Sequence, residues 1–174
     1  PDKHRLIQDG DIVSLDAGVI YKGYHSDAAR TYGVGEISKE AKNLMQITKE
    51  CFFEGIKYAR EGNHLFDISG AIGRYAEERG YGVVRDLCGH GIGTALHEAP
   101  EIPNYEVGRK GVRLRPGMTL AIEPMINIGT YEVDWLDDDW TVVTRDGSLS
   151  AHYENTILIT EGEPRILSLT CENE

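Results

Sequence analysis

The sequence predicts an α+β fold with a largely antiparallel sheet, and three observations predict it. A β-branched hairpin pattern opens the chain, two segments of helical periodicity follow together, and everything beyond residue 117 reads as short strands between turn signals. No internal repeat or low-complexity linker interrupts the 174 residues. One domain over 1–174 is therefore expected, long enough to bury roughly 70% of the surface its unfolded chain would expose.

After the turn-like Gln8-Asp9-Gly10, Ile12 to Ile20 reads as a strand, Tyr21 to Tyr24 with Gly23 as a turn, and His25 to Tyr32 as the returning strand. From Ser38, the expected N-cap, Ala41, Leu44, Met45, Thr48, Cys51, Phe52, Ile56 and Ala59 recur at three and four, so a helix is expected as far as Gly62. A second helix is expected from about Leu65 to Arg79, with Asn63 near its cap and Gly80 closing it. Tyr81 to Leu87 returns to strand, followed by an irregular stretch up to Arg115-Pro116-Gly117. Thr119–Ile128, Thr130–Trp135, Trp140–Thr144, Ser150–Thr160 and Arg165–Leu169 complete the expected strands.

A net charge of −11 argues against a general nucleic-acid surface, since non-specific affinity comes from neutralising phosphates with Lys and Arg. Cys51, Cys88 and Cys171 are odd in number and lack CxxC spacing, which fits a reduced, cytoplasmic compartment. No run approaches the 18 or so apolar residues of a membrane span. The chain opens at Pro1 without an initiator methionine, as though cut from something longer.

Chemistry concentrates in Cys88 to Glu98, CGHGIGTALHE, where His90 and His97 sit in a frame of three glycines that would let backbone or ligand approach closely. The glycines are not in GxGxxG register, and Pro100 and Pro103 forbid the helix that a dinucleotide fingerprint must open. Taken alone, His90 reads more readily as a loop residue than as a ligand.

Strand interiors deplete acidic residues, yet Asp16 lies inside IVSLDAGVI, Glu123 inside TLAIEPMI and Glu154 inside AHYENTILI. Each alone could face water, but a buried carboxylate must be paired or bound to metal. A hairpin centred on Tyr21 and Lys22 would set Asp27 directly opposite Asp16, where like charges repel unless a cation lies between. Four carboxylates and one imidazole could balance two divalent ions. His4, His25, His64 and His152 take no role in this reading, and the acidic turn Asp137 to Asp139 lacks the glycine and distal glutamate of a calcium loop.

The order LDAGV, HSDAA, CGHGIG, LHEAP, PGMTLAIEP, AHYENTIL resembles the type I methionine aminopeptidases over essentially the whole chain. The resemblance implies the pita-bread fold, a curved, mostly antiparallel sheet with packing helices, lacking here its N-terminal segment. It implies two divalent ions (Co, Mn, Fe or Zn) on Asp16, Asp27, His90, Glu123 and Glu154, and removal of N-terminal methionine from peptides and nascent chains by a metal-activated hydroxide. Glu123 would handle the proton, and His97 would contact the substrate near the scissile bond. Leu96 stands where many relatives have an aromatic bordering the methionine pocket, and Trp140 matches a pocket-edge tryptophan. The family's upstream segment supplies another active-site histidine and much of that pocket. Proximity to the ribosome is implied, with no membrane and no sequence-specific nucleic acid; the missing segment or self-association would cover the exposed hairpin.

Two alternatives remain open. Aminopeptidase P and prolidase share fold and metals but tend to follow the fourth-motif glutamate with Pro-Gly, whereas this chain has Glu123-Pro124-Met125. A non-catalytic binding module of the same fold usually loses ligands, and all five stand here.

Overall fold

The computed structural model describes residues 4–169; Cys171 lies outside them. β1 (Ile12–Tyr21) and β2 (Tyr24–Gly33) pair antiparallel over their whole lengths. Lys22 and Gly23 make the turn with φ of 50° and 82°, the two-residue geometry whose twist matches the flanking strands. The expected register is therefore displaced by two: Asp16 faces Ala29, and Gly18 faces Asp27. Side chains alternate with a period of two, so the displacement leaves both aspartates on one face, as diagonal rather than direct neighbours.

α1 (Lys39–Ile56) starts where expected, with the Ser38 Oγ accepting the Ala41 N–H at 3.0 Å. It stops well short of Gly62. The Tyr58 and Ala59 amides turn back three residues to the Gly55 and Ile56 carbonyls, tightening the chain, and the Gly62 amide leaves for the Leu114 carbonyl. α2 (Leu65–Glu77) is capped by His64 rather than Asn63, because the Asp67 carboxylate accepts the His64 N–H at 2.8 Å. Leu44, Phe52, Ile68 and Ile72 pack between the helices and the sheet in one core with Leu120, Ile122, Ile126 and Ile157.

The remaining strands are β3 (Gly82–Val83), β4 (Gly89–Gly91), β5 (Glu98–Ile102), β6 (Thr119–Ile122), β7 (Met125–Asn127), β8 (Val133–Trp135), β9 (Val142–Thr144), β10 (Ser150–His152), β11 (Asn155–Leu158) and β12 (Arg165–Ile166). Every pairing is antiparallel, in sheets ordered β12-β11-β6-β4-β5 and β10-β7-β3 and in the ribbons β1-β2 and β8-β9. β3 is shorter than the expected strand over 81–87, while the glycine-histidine stretch supplies β4 and leads into β5, where an irregular segment was expected to begin. Its glycines answer to neighbouring backbone: a Cβ at Gly89 would strike the Ala121 carbonyl, and one at Gly91 the Ala99 carbonyl.

Two expected strands are each broken in two. Thr119–Ile128 divides into β6 and β7 at Glu123-Pro124, where proline has no N–H for a ladder, and Ser150–Thr160 divides into β10 and β11 at Tyr153-Glu154. At these breaks the chain crosses from one sheet to the other: β6 pairs with β11, and β7 with β10. Both glutamates therefore leave the strand interiors where the sequence reading placed them.

Candidate metal centre

The hairpin is held against the broken strands by side chains that stand in for a main-chain ladder. Glu154 N–H donates to the Ala29 carbonyl at 2.9 Å, and Arg30 and Tyr153 form an isolated bridge. On one side of that bridge the Thr156 hydroxyl accepts the Asp27 N–H and donates to the Asp27 carbonyl, both at 2.9 Å. On the other, the Thr31 hydroxyl accepts the His152 N–H at 2.8 Å and donates to the His152 carbonyl at 3.0 Å. The Arg30 guanidinium lies 4.1 Å from the Tyr153 ring centre and bonds the Asn155 side chain at 2.8 Å.

β2, β4 and the β10–β11 break thus bring Asp27, His90 and Glu154 together, with potential ligand atoms all within 4.8 Å of one another. All three are buried, Glu154 to 1% exposure. Glu123 joins them from the other break, its Oε1 3.4 Å from His90 Nε2, and Asp27 Oδ2 lies 4.0 Å from the same nitrogen. His90 Nδ1 is 2.9 Å from the Gly91 carbonyl, which can only accept. Nδ1 is therefore the donor in that contact, and Nε2, turned towards the carboxylates, is the nitrogen placed to ligate a metal. Asp16 reaches the group from β1 and lies within hydrogen-bond reach of the Asp27 carboxylate.

The electrostatics of this arrangement call for a cation. Burial, followed by the Glu123, Asp27 and Asp16 carboxylates, pushes Glu154 up to about 9 against an opposing pull from Arg30. Burial also raises Asp16, with His152 opposing it and Asp27 adding to it. Glu154 Oε1 is buried without a hydrogen-bond partner. A converging, oxygen-rich set with one imidazole and an orphaned carboxylate oxygen fits a divalent metal.

These residues open onto a cavity of about 1210 Å³ whose wall includes Asp16, His90, Glu123, His97, Trp140 and Cys88. The His97 ring meets His90 edge to face, centres 4.4 Å apart. Trp140, 82% exposed, stands at the rim. Leu96 is not part of this wall; its Cδ1 turns towards Gly18 of β1. His152, which the sequence reading left without a role, lines the cavity with Nε2 3.5 Å from Glu123 Oε2. Its signal was position, two residues before Glu154 in AHYENTIL, the spacing that keeps side chains on one face of a strand. His64, by contrast, caps α2.

Residues 1–161 match the model of metallopeptidase family M24. A methionine aminopeptidase of Clostridium acetobutylicum is 56% identical over 172 residues, covering 99% of this chain and 68% of that protein. The crystal structure of the Thermotoga maritima methionine aminopeptidase superposes with a TM-score of 0.93 at 48% identity, over 97% of this chain and 68% of that one. Prolidase from Pyrococcus furiosus is more distant, with a TM-score of 0.74 at 28% identity, over 94% of this chain and 43% of that one. The chain thus spans about two thirds of the length of the methionine aminopeptidases it matches. Its architecture is the pita-bread fold these enzymes share. Among the described residues no helix is long and apolar enough to cross a membrane.

Proposed function

The chain belongs to metallopeptidase family M24 and to its methionine aminopeptidases, enzymes that remove an N-terminal methionine with divalent metal, and from that premise we propose which of its residues carry the reaction. The metal ligands are Asp16, Asp27, His90, Glu123 and Glu154, and they hold two ions, of Co, Mn, Fe or Zn. The observation that carries this reading is the convergence of Asp27, His90 and Glu154 within 4.8 Å, with Glu123 and Asp16 at its edges.

Bound there, divalent ions supply Lewis acidity, polarising the scissile carbonyl and making water acidic near neutral pH. The chain's own groups do the rest. Glu123 takes the proton of the attacking water on the carboxylate oxygen that faces away from His90, and returns it to the leaving amine. His97, on the cavity wall beside His90, donates a hydrogen bond to the oxygen that gains charge at the scissile carbon. Asp16 lines the cavity as a metal ligand on the side that would take the substrate's α-amino group, and Trp140 borders the methionine side chain at the rim.

The substrates are methionyl peptides and the N-termini of nascent chains, met in the cytoplasm near the ribosome. Leu96 borders the methionine pocket only if it turns away from Gly18. A Xaa-Pro specificity is disfavoured by the lower identity to prolidase and by Met125 following Glu123-Pro124.

The test uses two variants of the intact protein. Glu123→Gln should abolish turnover of a Met-Ala-Ser peptide and weaken one metal, whereas His97→Ala should keep both metals and lower kcat by about 10²- to 10³-fold. Loss of metal from His97→Ala, or full turnover in Glu123→Gln, would contradict the division of roles.

A further inference from the structure

We infer that His152 is the positioning residue for Glu123, holding the outer oxygen of its carboxylate, Oε2, in the orientation that proton transfer needs. The inference rests on the role given to Glu123 above.

Glu123 sits at a strand break, so no sheet ladder orders it; its carbonyl is instead held by the buried Asn104 side chain, whose Nδ2 donates to it at 3.1 Å. That bond fixes the backbone and leaves the long side chain to be set by what meets its two oxygens. Oε1 faces His90 Nε2 at 3.4 Å, on the side of the candidate ligands. Oε2 faces His152 Nε2 at 3.5 Å, on the opposite side. The two oxygens thus face different partners, one turned to the candidate metal ligands and one to His152, which is what a group that binds and also moves a proton requires.

His152 is built for a fixed task. Its backbone is clamped at both N–H and carbonyl by the Thr31 hydroxyl, and its register partner across the ladder is Met125, two residues beyond Glu123. Its Nε2 is a buried polar atom with no hydrogen-bond partner, half an ångström or so beyond the usual N–H···O distance from Glu123 Oε2. A buried donor left unmatched is costly, and the small closure needed to satisfy it points at Glu123. Closing that gap places the Nε2 proton on Oε2 as a hydrogen bond, with no bond made or broken. The second Oε2 lone pair remains for the water proton.

The experiment compares His152→Ala and His152→Gln with the parent, in the intact Mn(II)-loaded protein. His152→Ala should lower kcat by about 10- to 100-fold, the usual cost of removing a partner that orients a reacting group, with KM for a methionyl peptide and the Mn(II) count unchanged. His152→Gln, whose amide N–H has similar reach, should recover most of that loss. Loss of a Mn(II) ion in His152→Ala would make the residue a ligand and overturn the assignment. So would equal kcat in His152→Ala, or a Gln variant no better than Ala. A crystal structure of the Mn(II)-loaded parent gives a readout independent of turnover: Nε2 should lie about 3 Å from Glu123 Oε2. A ring turned away or bound to metal there overturns the inference. A parent that never cleaves methionyl peptides overturns the proposed function instead.

Discussion

Glu123 and Glu154 are register partners across a ladder that neither joins. Ile122 pairs with Asn155 on one side of the gap and Met125 with His152 on the other, and continuing that register sets the two glutamates opposite each other. Like charges in that relation repel, and here one of the two is almost wholly buried. The chain spends its hydrogen bonds elsewhere at this point, with the Glu154 amide on Ala29 and the Glu123 carbonyl on Asn104. The sheet is opened where the two carboxylates meet, and a divalent ion is what turns their repulsion into attraction.

Metal should therefore stabilise the folded protein. At a free Mn(II) concentration about 100 times Kd, linkage gives about 2.7 kcal/mol, or about 5–10 °C in Tm for a domain of this size. Glu154→Gln should leave the neutral-pH Tm of the metal-free protein nearly unchanged, because a carboxyl pushed up to about 9 is already uncharged there and the amide matches it in size, yet abolish most of the metal-induced rise. Differential scanning calorimetry with and without Mn(II) checks both halves, and an undiminished rise in Glu154→Gln would remove Glu154 from the ligand set.

Thr156 does for Asp27 what a main-chain neighbour would do in a regular sheet, meeting its N–H and its carbonyl with one buried hydroxyl. Thr156→Val keeps the shape and removes both bonds. It should cost about 1–3 kcal/mol of stability and weaken Mn(II) binding by about 10- to 100-fold, while Thr156→Ser should keep most of the affinity. Isothermal titration calorimetry separates the two effects. A Val variant that loses stability but keeps parental affinity would reduce Thr156 to a packing residue.

Among the described residues β1 has β2 as its one strand neighbour, and Leu15, Val19 and Tyr21 on its outer face are 59%, 60% and 70% exposed. A long apolar edge of this kind invites pairing with a second copy of the chain. Light scattering should show association by this chain that the double substitution Leu15→Lys and Val19→Lys relieves, with Mn(II) binding retained. A monodisperse monomer before substitution would argue that the edge is adequately protected as it stands.

Much of this fold could be read from side-chain period alone. The Ser38 cap, the stripe from Ala41 to Phe52 and the hairpin all appear where apolar spacing and capping chemistry put them. What escaped was non-local. The Gly62 end of α1 failed because Leu114, far along the chain, takes that amide. The glycines at 89 and 91 read as places where backbone or a ligand comes close, and backbone does, but that it is the carbonyls of Ala121 and Ala99 no local pattern reveals. The hairpin register moved because Lys22 accepts a left-handed conformation usually left to Gly, Asn or Asp. The aspartates stayed on one face only because that shift was even. His152 was missed because its one local signal, the two-residue spacing to Glu154, does not reveal Glu123 as its neighbour until the partner strand is known.

Asp146 offers a pH test well away from the candidate metal centre. Its Oδ2 accepts the Thr130 N–H at 2.7 Å and its Oδ1 the Ser148 N–H at 2.9 Å, at a turn where a Cβ on Gly129 would strike the carboxylate. Hydrogen bonds from Ser148 and then Thr130 hold its carboxyl down at about 2, below the ordinary 3.8. A depressed folded value means the unfolded chain binds the proton first as pH falls. The contribution of Asp146 is therefore complete above the unfolded value and disappears as pH drops from about 3.8 through about 2. Asp146→Asn keeps an acceptor but has no charge to titrate. The Tm difference between parent and variant should be constant from neutral pH down to about 5 and then shrink across that acid window, while the other carboxylates titrate alike in both proteins. A difference that stays level through the window would mean that Ser148 and Thr130 do not favour the ionised carboxylate over a neutral amide.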